Sequence, residues 1–274
     1  MPHALTVSAQ RPGAFPTIGD ALEVAPDGAV ISIESGIYTE ALRLTGRRLR
    51  LVAIEEGAVT IDATGLDQAA VACQGSEVTL HGLVLKAGHY PAFSATGGRL
   101  RVEKCQVSSE YAAAINISDG AQLDATDVQV TGGQLGMVFE DAGGTVDTCE
   151  IRNITDDGVI IRLGADPTIR NSTVTDCAFR GIYIYQAGRP TIERCDISQV
   201  GGVGISIAHQ SAPTIRTSRI HHTQGVGIHF ARGCSGLVEN CKVEQTATPG
   251  IHVDEGADPT IREDDTPGTA ARFG

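Results

Sequence analysis

Side chains that can bind metal ions, transfer protons or hold a sugar recur at a regular spacing in this 274-residue chain. His229 and His252 are 23 residues apart, and Tyr183 lies two such steps before His229. Imidazoles serve as metal ligands and as general bases near neutral pH, and aromatic rings provide flat contact surfaces. If each step is one turn of a repeating fold, these side chains form a column on a single surface.

The repeat that positions them can be followed through much of the sequence. Within one repeat, residues 168–174 and 181–185 alternate apolar and polar positions, which is typical of strands with one buried face. One repeat has too few apolar residues for a core of its own, so successive coils must stack as parallel strands about 4.8 Å apart. The sequence therefore predicts an all-β fold, a parallel β-helix with 23 residues per coil. The aliphatic anchors of this repeat are Leu123, Val146, Ile169, Ile192, Ile215, Val238 and Ile261.

The predicted domain organisation has three parts. They are one β-helix domain over residues 1–263, an N-terminal cap and first coil within it over residues 1–48, and a polar tail over residues 264–274. Residues 16–25 predict a short amphipathic helix, because Thr17 suits the N-cap position and Asp20 follows three residues later. Such a helix would cover the apolar end of the first coil. Its apolar face would consist of Ile18, Ala21, Leu22 and Ala25.

The opposite end of the predicted stack has no capping pattern. The last coil begins at Pro259 and is followed by polar sequence. An open strand edge can pair with another chain. We therefore expect a protein partner or a second copy at this end, or a natural chain that continues beyond Gly274.

Composition narrows the classes of partner. The net charge of −12 and the alternation of acidic and basic outward residues disfavour nucleic acid and anionic membranes. The sequence has neither an 18-residue apolar run nor a signal peptide, so we expect a cytoplasmic protein. The seven cysteines fit this expectation as reduced core residues. Four of them follow an anchor position by three residues, in alternation with Thr126, Ser172 and Ser218: Cys105, Cys149, Cys195 and Cys241.

The second strand of each repeat is predicted to carry the candidate ligand-binding face. One outward column consists of Ile160, Tyr183, Ser206, His229 and His252. A second column, two residues further on, consists of Arg162, Tyr185, Ala208, Ala231 and Asp254. His209 follows on the same edge. The loop before this strand is expected to add Asp156, Asp157, Asp176, Arg180, His221 and His222.

Several of these residues have more than one interpretation. His229 and His252 would share a metal ion or a phosphate if a third ligand such as Asp254 joined them. Tyr183 and Tyr185 form either a stacking platform for a sugar or a structural pair. The Asp156–Asp157 pair and the His221–His222 pair are each either solvated turn residues or acid–base groups. The residue pattern alone assigns no metal site and no cofactor.

The string PTIGDALEVAPDGAVISIESGIYTEALRL, residues 16–44, resembles the N-terminal turn of the pectin-lyase-like superfamily, especially that of pectin methylesterases. The later Asn- and Cys-bearing coils resemble right-handed parallel β-helix repeats, and the resemblance extends over residues 5–263. The nearest likeness is to the β-helix region of actinobacterial proteins that often carry an AAA-family ATPase module. The resemblance implies a right-handed coil and a ligand groove along one outer face.

The motifs of specific β-helix enzymes are missing from the sequence. There is no Gly-His-Gly of polygalacturonases, no methylesterase Gln/Asp/Asp/Arg set and no carboxylate column for a pectate-lyase Ca²⁺ site. The leading hypothesis is therefore a non-catalytic binding module, a sensor or recognition domain coupled to an ATPase. The alternative is a carbohydrate-active lyase, hydrolase or epimerase with its site on the outer face of residues 146–254. Whether the protein is an enzyme stays open, and a saccharide is the small ligand that we carry forward.

Overall fold

The computed structural model describes residues 4–262 and contains, within them, one helix and thirty strands. The elements are β1 (Ala4–Val7), α1 (Ile18–Val24), β2 (Ala29–Ile33), β3 (Gly36–Tyr38), β4 (Leu42–Thr45), β5 (Arg48–Ala53), β6 (Val59–Ala63), β7 (Val71–His81), β8 (Leu83–Ala87), β9 (Phe93–Glu103), β10 (Gln106–Ser109), β11 (Ala113–Ser118), β12 (Gln122–Thr126), β13 (Gln129–Thr131), β14 (Leu135–Glu140), β15 (Gly143–Asp147), β16 (Glu150–Ile154), β17 (Val159–Arg162), β18 (Thr168–Arg170), β19 (Thr173–Cys177), β20 (Ile182–Ile184), β21 (Thr191–Glu193), β22 (Asp196–Val200), β23 (Ile205–Ile207), β24 (Thr214–Arg216), β25 (Arg219–Thr223), β26 (Val226–Phe230), β27 (Ser235–Glu239), β28 (Lys242–Glu244), β29 (Ala247–Val253) and β30 (Asp258–Arg262).

These strands stack in parallel on three faces, which confirms the predicted parallel β-helix. The anchor face contains β12, β15, β18, β21, β24, β27 and β30, together with β1, β2, β5 and the second halves of β7 and β9. The middle face is a sheet of ten strands, from β3 to β28. The site face contains β4, the first halves of β7 and β9, and β11, β14, β17, β20, β23, β26 and β29. Each coil crosses the anchor, middle and site faces in turn.

The anchor residues form an unbroken internal column over the last coils. Ile169 pairs with Ile192, Ile192 with Ile215, and Ile215 with Val238. All four side chains are fully buried. Burial of one such side chain contributes about 1.5–3 kcal/mol, so the column is a main source of stability. Between the anchor and middle faces the chain turns through a single residue in the left-handed region, for example Asn171 at φ 49°.

The 23-residue step does not extend back to Leu123, and this prediction was wrong. The register pairs Ala125 with Val146, a step of 21 residues, and pairs Leu123 with Gly144. Gly144 brings no side chain inward and has φ 111°, so the aliphatic count misses a position there. Val128, rather than Thr126, consequently occupies the buried position three residues after the anchor, whereas Thr126 is exposed.

The helix α1 lies where the sequence predicts it and packs Ile18, Ala21 and Leu22 into the core. The Thr17 hydroxyl accepts a hydrogen bond from the Asp20 amide at 3.0 Å, as expected of an N-cap. A second cap comes from further along the chain: the Glu40 carboxylate accepts hydrogen bonds from the amides of Ile18 and Gly19 at 2.9 and 2.8 Å. Glu40 thereby fastens the helix to the first coil.

The cysteine prediction is confirmed. All seven are buried free thiols. The Ser172 hydroxyl accepts a hydrogen bond from the Cys149 amide, and that of Ser218 from the Cys195 amide, both at 3.1 Å. Serine and cysteine thus alternate in one internal ladder in which the small side chains satisfy backbone groups.

Two remaining points concern the ends and the membrane. Within residues 4–262, no helix has the length and apolar character needed to cross a bilayer. The predicted polar tail, residues 264–274, lies outside the described residues.

Candidate functional site

The outward columns of the site face are those that the sequence predicts. Ile160, Tyr183, Ser206, His229 and His252 are paired in register from β17 to β29. Backbone hydrogen bonds continue the register into the second column, where the Tyr185 amide donates to the carbonyl of Ile161 and the Asp254 amide to that of Phe230. Toward the N-terminus the columns extend further than predicted, because Asn116 pairs with Val138, and Glu140 with Arg162.

Tyr183 and Tyr185 stack on each other, with ring centroids 4.4 Å apart. The guanidinium of Arg180 covers the Tyr183 ring at 3.6 Å. His209, which is exposed after β23, approaches the Tyr185 ring edge-on at 6.1 Å. Because Tyr183 lies between Arg180 and Tyr185, its ring is not available as the sugar platform that the sequence suggested. The pair instead stiffens the surface and presents its hydroxyl groups.

Arg180 is held by a buried carboxylate in the loop before the site face. Its Nε and Nη2 atoms donate to the two oxygens of Asp157 at 2.8 and 3.0 Å. Asp157 is only 3% exposed. Burial raises the pKa of Asp157; Arg180 offsets part of this increase, and the neighbouring charge of Asp156 adds to it. The predicted proximity of Asp156, Asp157 and Arg180 to the site face is therefore found, and Asp157 positions Arg180.

Arg162 is fixed in the middle of the site face by two neighbours. Its Nη1 donates to the Tyr185 hydroxyl at 2.7 Å, and its Nε donates to Glu140 at 2.9 Å. Beside it is a cleft of about 230 Å³. The Oδ1 atom of Asn116, which lines this cleft, is buried and has no hydrogen-bond partner in the described structure. The cleft therefore combines a fixed cation with an unsatisfied acceptor, and it lies nearer the N-terminus than the predicted 146–254 surface.

The two histidines of the last coils meet at one carboxylate. The Nε2 atoms of His229 and His252 lie 3.1 and 3.0 Å from the same Oδ1 atom of Asp254. The rings are 5.3 Å apart between centroids. Burial alone would raise the pKa of Asp254, but the hydrogen bonds and charges of His229 and His252 outweigh it, and the pKa is lowered. This grouping, which the sequence analysis offered as one alternative, is capable of acid–base chemistry or metal binding.

Three predicted residues lie elsewhere. Asp176 is in β19, and His221 and His222 are in β25, so all three belong to the middle face and not to the loop before the site face. The loop prediction failed because the strands of the middle face continue beyond the alternating apolar pattern, through a left-handed residue such as Asp176 or His222. His221 contacts Asp196 there at 3.1 Å, away from the His229 cluster.

A basic cleft on the anchor face was missed by the sequence analysis. Its volume is about 530 Å³, and among residues 4–262 the side chains of Arg50 and Arg99 have no ion-pair partner. The register stacks Arg48 on Glu77 and Glu77 on Arg99. The sequence shows alternating charges in this region, and only the irregular coil lengths before residue 121 bring its arginines together: Arg48, Arg50, Arg99 and Arg101.

The architecture is that of a parallel β-solenoid with polar columns on one face. The family described as the right-handed β-helix region matches residues 69–178 and 113–266, and the chain belongs to this family. No curated protein sequence matches the chain.

Similar solved structures share the fold at low sequence identity. The Azotobacter vinelandii mannuronan C-5 epimerase AlgE6 A-module has a TM-score of 0.62 at 14% identity, over 91% of this chain and 84% of that one. The periplasmic alginate epimerase AlgG has a TM-score of 0.63 at 9% identity, over 96% and 85%. The pectate lyase Pel9A has a TM-score of 0.57 at 10% identity, over 98% and 81%.

Proposed function

We propose that the protein binds a saccharide along its site face, with the cleft at Asn116, Glu140 and Arg162 as the principal contact. The observation that carries this proposal is the pairing, in one cleft, of a guanidinium fixed by two neighbours with an unsatisfied buried acceptor. A buried polar atom without a partner calls for a ligand or a water molecule. A saccharide supplies both kinds of group, since its hydroxyls donate to Asn116 and its hydroxyls or carboxylates accept from Arg162.

Two further points support a sugar chain as the ligand. The cleft is smaller than the ~300 Å³ typical of pockets that enclose a whole ligand, so it suits one unit of a chain whose other units lie along the columns. The structural relatives are named for mannuronan, alginate and pectate. At their low sequence identities this is support from the fold alone. Uronic-acid oligosaccharides are therefore the first ligands to test.

The experiment is a calorimetric titration of the protein with oligosaccharides of mannuronate, guluronate and galacturonate. Arg162→Gln and Asn116→Ala are the test variants, and Arg219→Gln on the middle face is the matched control. Loss of a hydrogen bond to a charged group weakens binding by about 10- to 100-fold, so we expect this loss for Arg162→Gln and unchanged affinity for Arg219→Gln. Absence of binding to the whole panel, or equal affinity of Arg162→Gln and the parent, would reject the proposal.

The second candidate is a carbohydrate-active enzyme, and the contact between His229 and Asp254 favours it. A carboxylate that holds one nitrogen of an imidazole orients the ring, so that its other nitrogen acts as a general base. Incubation of the same oligosaccharides with the protein, followed by NMR of the products, tests this candidate. Turnover that disappears in His229→Gln would support it, and unchanged substrates would leave the protein as a binding module.

The implied association with an AAA-family ATPase, and a protein partner or second copy at the C-terminal end, stay predictions. Light scattering of the purified chain tests self-association directly. A monomer at all concentrations would argue against the second copy.

A further inference from the structure

The His229, His252 and Asp254 cluster, independently of any saccharide, has the composition of a metal site. The two Nε2 atoms and one carboxylate oxygen all lie within 4.8 Å of one another. We propose that a divalent transition-metal ion of the Zn²⁺ type binds between these three side chains. Imidazole nitrogens with a carboxylate oxygen are ligands that Zn²⁺ and its neighbours in the first transition row accept.

The backbone fixes the positions of all three ligands. His229 in β26 and His252 in β29 are direct register partners on adjacent strands. The Asp254 amide donates to the carbonyl of Phe230 at 2.9 Å, which holds Asp254 beside the neighbouring coil. The residues on either side of the histidines, including Ile228 and Ile251, are buried in the core, so the strands cannot turn these side chains away. A metal ion would therefore enter a site whose framework exists before it binds.

The distances between ligand atoms suit coordination. Two ligands that are each about 2.0–2.2 Å from one ion are roughly 3–3.5 Å apart when the angle between them is near 90–110°. The Nε2 to Oδ1 distances of 3.1 and 3.0 Å lie at the lower end of that range. The ion would replace the protons that now join these atoms. Three protein ligands leave at least one coordination position open, and the half-exposed side chains give solvent access to it.

The chain offers a natural comparison in a second pair of histidines. His221 contacts both oxygens of Asp196, and His222 follows it directly. Among residues 4–262, however, no other group brings three ligand atoms together as this one does. His221 and His222 therefore serve as a control for non-specific binding of metal by surface imidazoles.

The test is binding of Zn²⁺ and Co²⁺ alone to the purified, metal-stripped full chain, measured by calorimetry and by the visible absorption of bound Co²⁺. We expect one equivalent per chain and a raised melting temperature, since the ion binds the folded state. His229→Gln and Asp254→Asn should each weaken binding by about tenfold or more. His221→Gln/His222→Gln should bind as the parent does.

Melting curves without metal show whether each variant is folded, and Asp254→Asn keeps the size of the side chain. Because binding requires deprotonated imidazoles, affinity should also fall at acid pH. No stoichiometric binding by the parent would overturn the proposal. Equal affinity of Asp254→Asn and the parent would overturn it as well. Neither result depends on whether the protein binds a saccharide, because no sugar is present.

Discussion

The Nε2 atom of His229 lies 3.1 Å from the Oδ1 atom of Asp254, although the two residues belong to successive coils. The contact arises because a parallel β-helix places residues one repeat apart side by side. Asp254 lies two positions beyond His252, the register partner of His229. Chemistry on the site face is therefore built between coils, and mutations that shift the register should abolish it.

Removal of Arg180 should be costly because it leaves the buried Asp157 without its partner. We expect Arg180→Ala to lower the free energy of unfolding by about 3–5 kcal/mol. Arg219→Ala, which breaks a more exposed pair with Glu244, should cost about 1 kcal/mol or less. Urea unfolding at neutral pH measures both. Equal losses in the two variants would contradict the structural role of Asp157.

The same variant has a defined pH dependence. Burial raises the folded-state pKa of Asp157, and without Arg180 it should rise further. A carboxyl group with a raised folded pKa destabilises the protein above that pKa, and this cost disappears as the pH falls and the group becomes protonated. The deficit of Arg180→Ala relative to the parent should therefore shrink at acid pH. A deficit that grows on acidification would contradict this assignment.

Asp147 should show the opposite dependence. A hydrogen bond from Asn171 and the adjacent Arg170 lower its pKa below the ordinary value, although burial opposes them. Its contribution is present above the unfolded pKa of about 3.9 and is lost as the pH falls through the folded pKa. Asp147→Asn should cost about 1 kcal/mol at neutral pH and less in acid. Unfolding curves at several pH values check this, with the outward Asp124→Asn as control; a constant difference would exclude the effect.

Gly204 allows two coils to approach closely. A Cβ atom at this position would lie 2.5 Å from Cγ2 of Ile220 and 2.6 Å from the Gly227 carbonyl oxygen. Gly204→Ala should therefore destabilise the fold by about 1–3 kcal/mol. At Gly65 a Cβ atom would meet nothing within 4 Å, so Gly65→Ala is the matched control. Thermal unfolding distinguishes the two, and similar midpoints would show that the coils can separate at little cost.

The thiols should be inert in the folded protein. Burial raises the pKa to about 12 for Cys73 and Cys149 and to about 11 for Cys105. Because the thiolate is the reactive form, Ellman's reagent should modify none of the seven cysteines rapidly before unfolding and all seven after it. Rapid modification of the native protein would mean that a coil opens in solution.

The repetitive part of this structure could be predicted from the sequence, because one residue in 23 had to be aliphatic and inward for the coils to stack. The predicted column of Tyr183, His229 and His252 follows from that period alone. The register before Val146 could not be predicted, since a shortened coil shifts it by two residues. The partnership of Arg162 with Glu140 was hidden for that reason.

Side-chain conformations were a second limit. The sequence places Tyr183 and Tyr185 on one face, but it does not reveal that Arg180 covers the first ring. It also does not reveal that the carboxylate of Glu40, some twenty residues beyond α1, caps that helix. Both arrangements depend on loops whose lengths vary from coil to coil, and a period carries no information about them.

The most direct measurement is methyl NMR of isoleucine-labelled protein titrated with uronic-acid oligosaccharides. Ile160 lines the cleft beside Arg162, whereas Ile197 is in the middle-face strand β22. Saccharide binding on the site face predicts a saturable shift of the Ile160 methyl signal, no shift at Ile197, and loss of the Ile160 shift in Arg162→Gln. Binding that leaves Ile160 unchanged, or that moves signals only on another face, would contradict the proposed site.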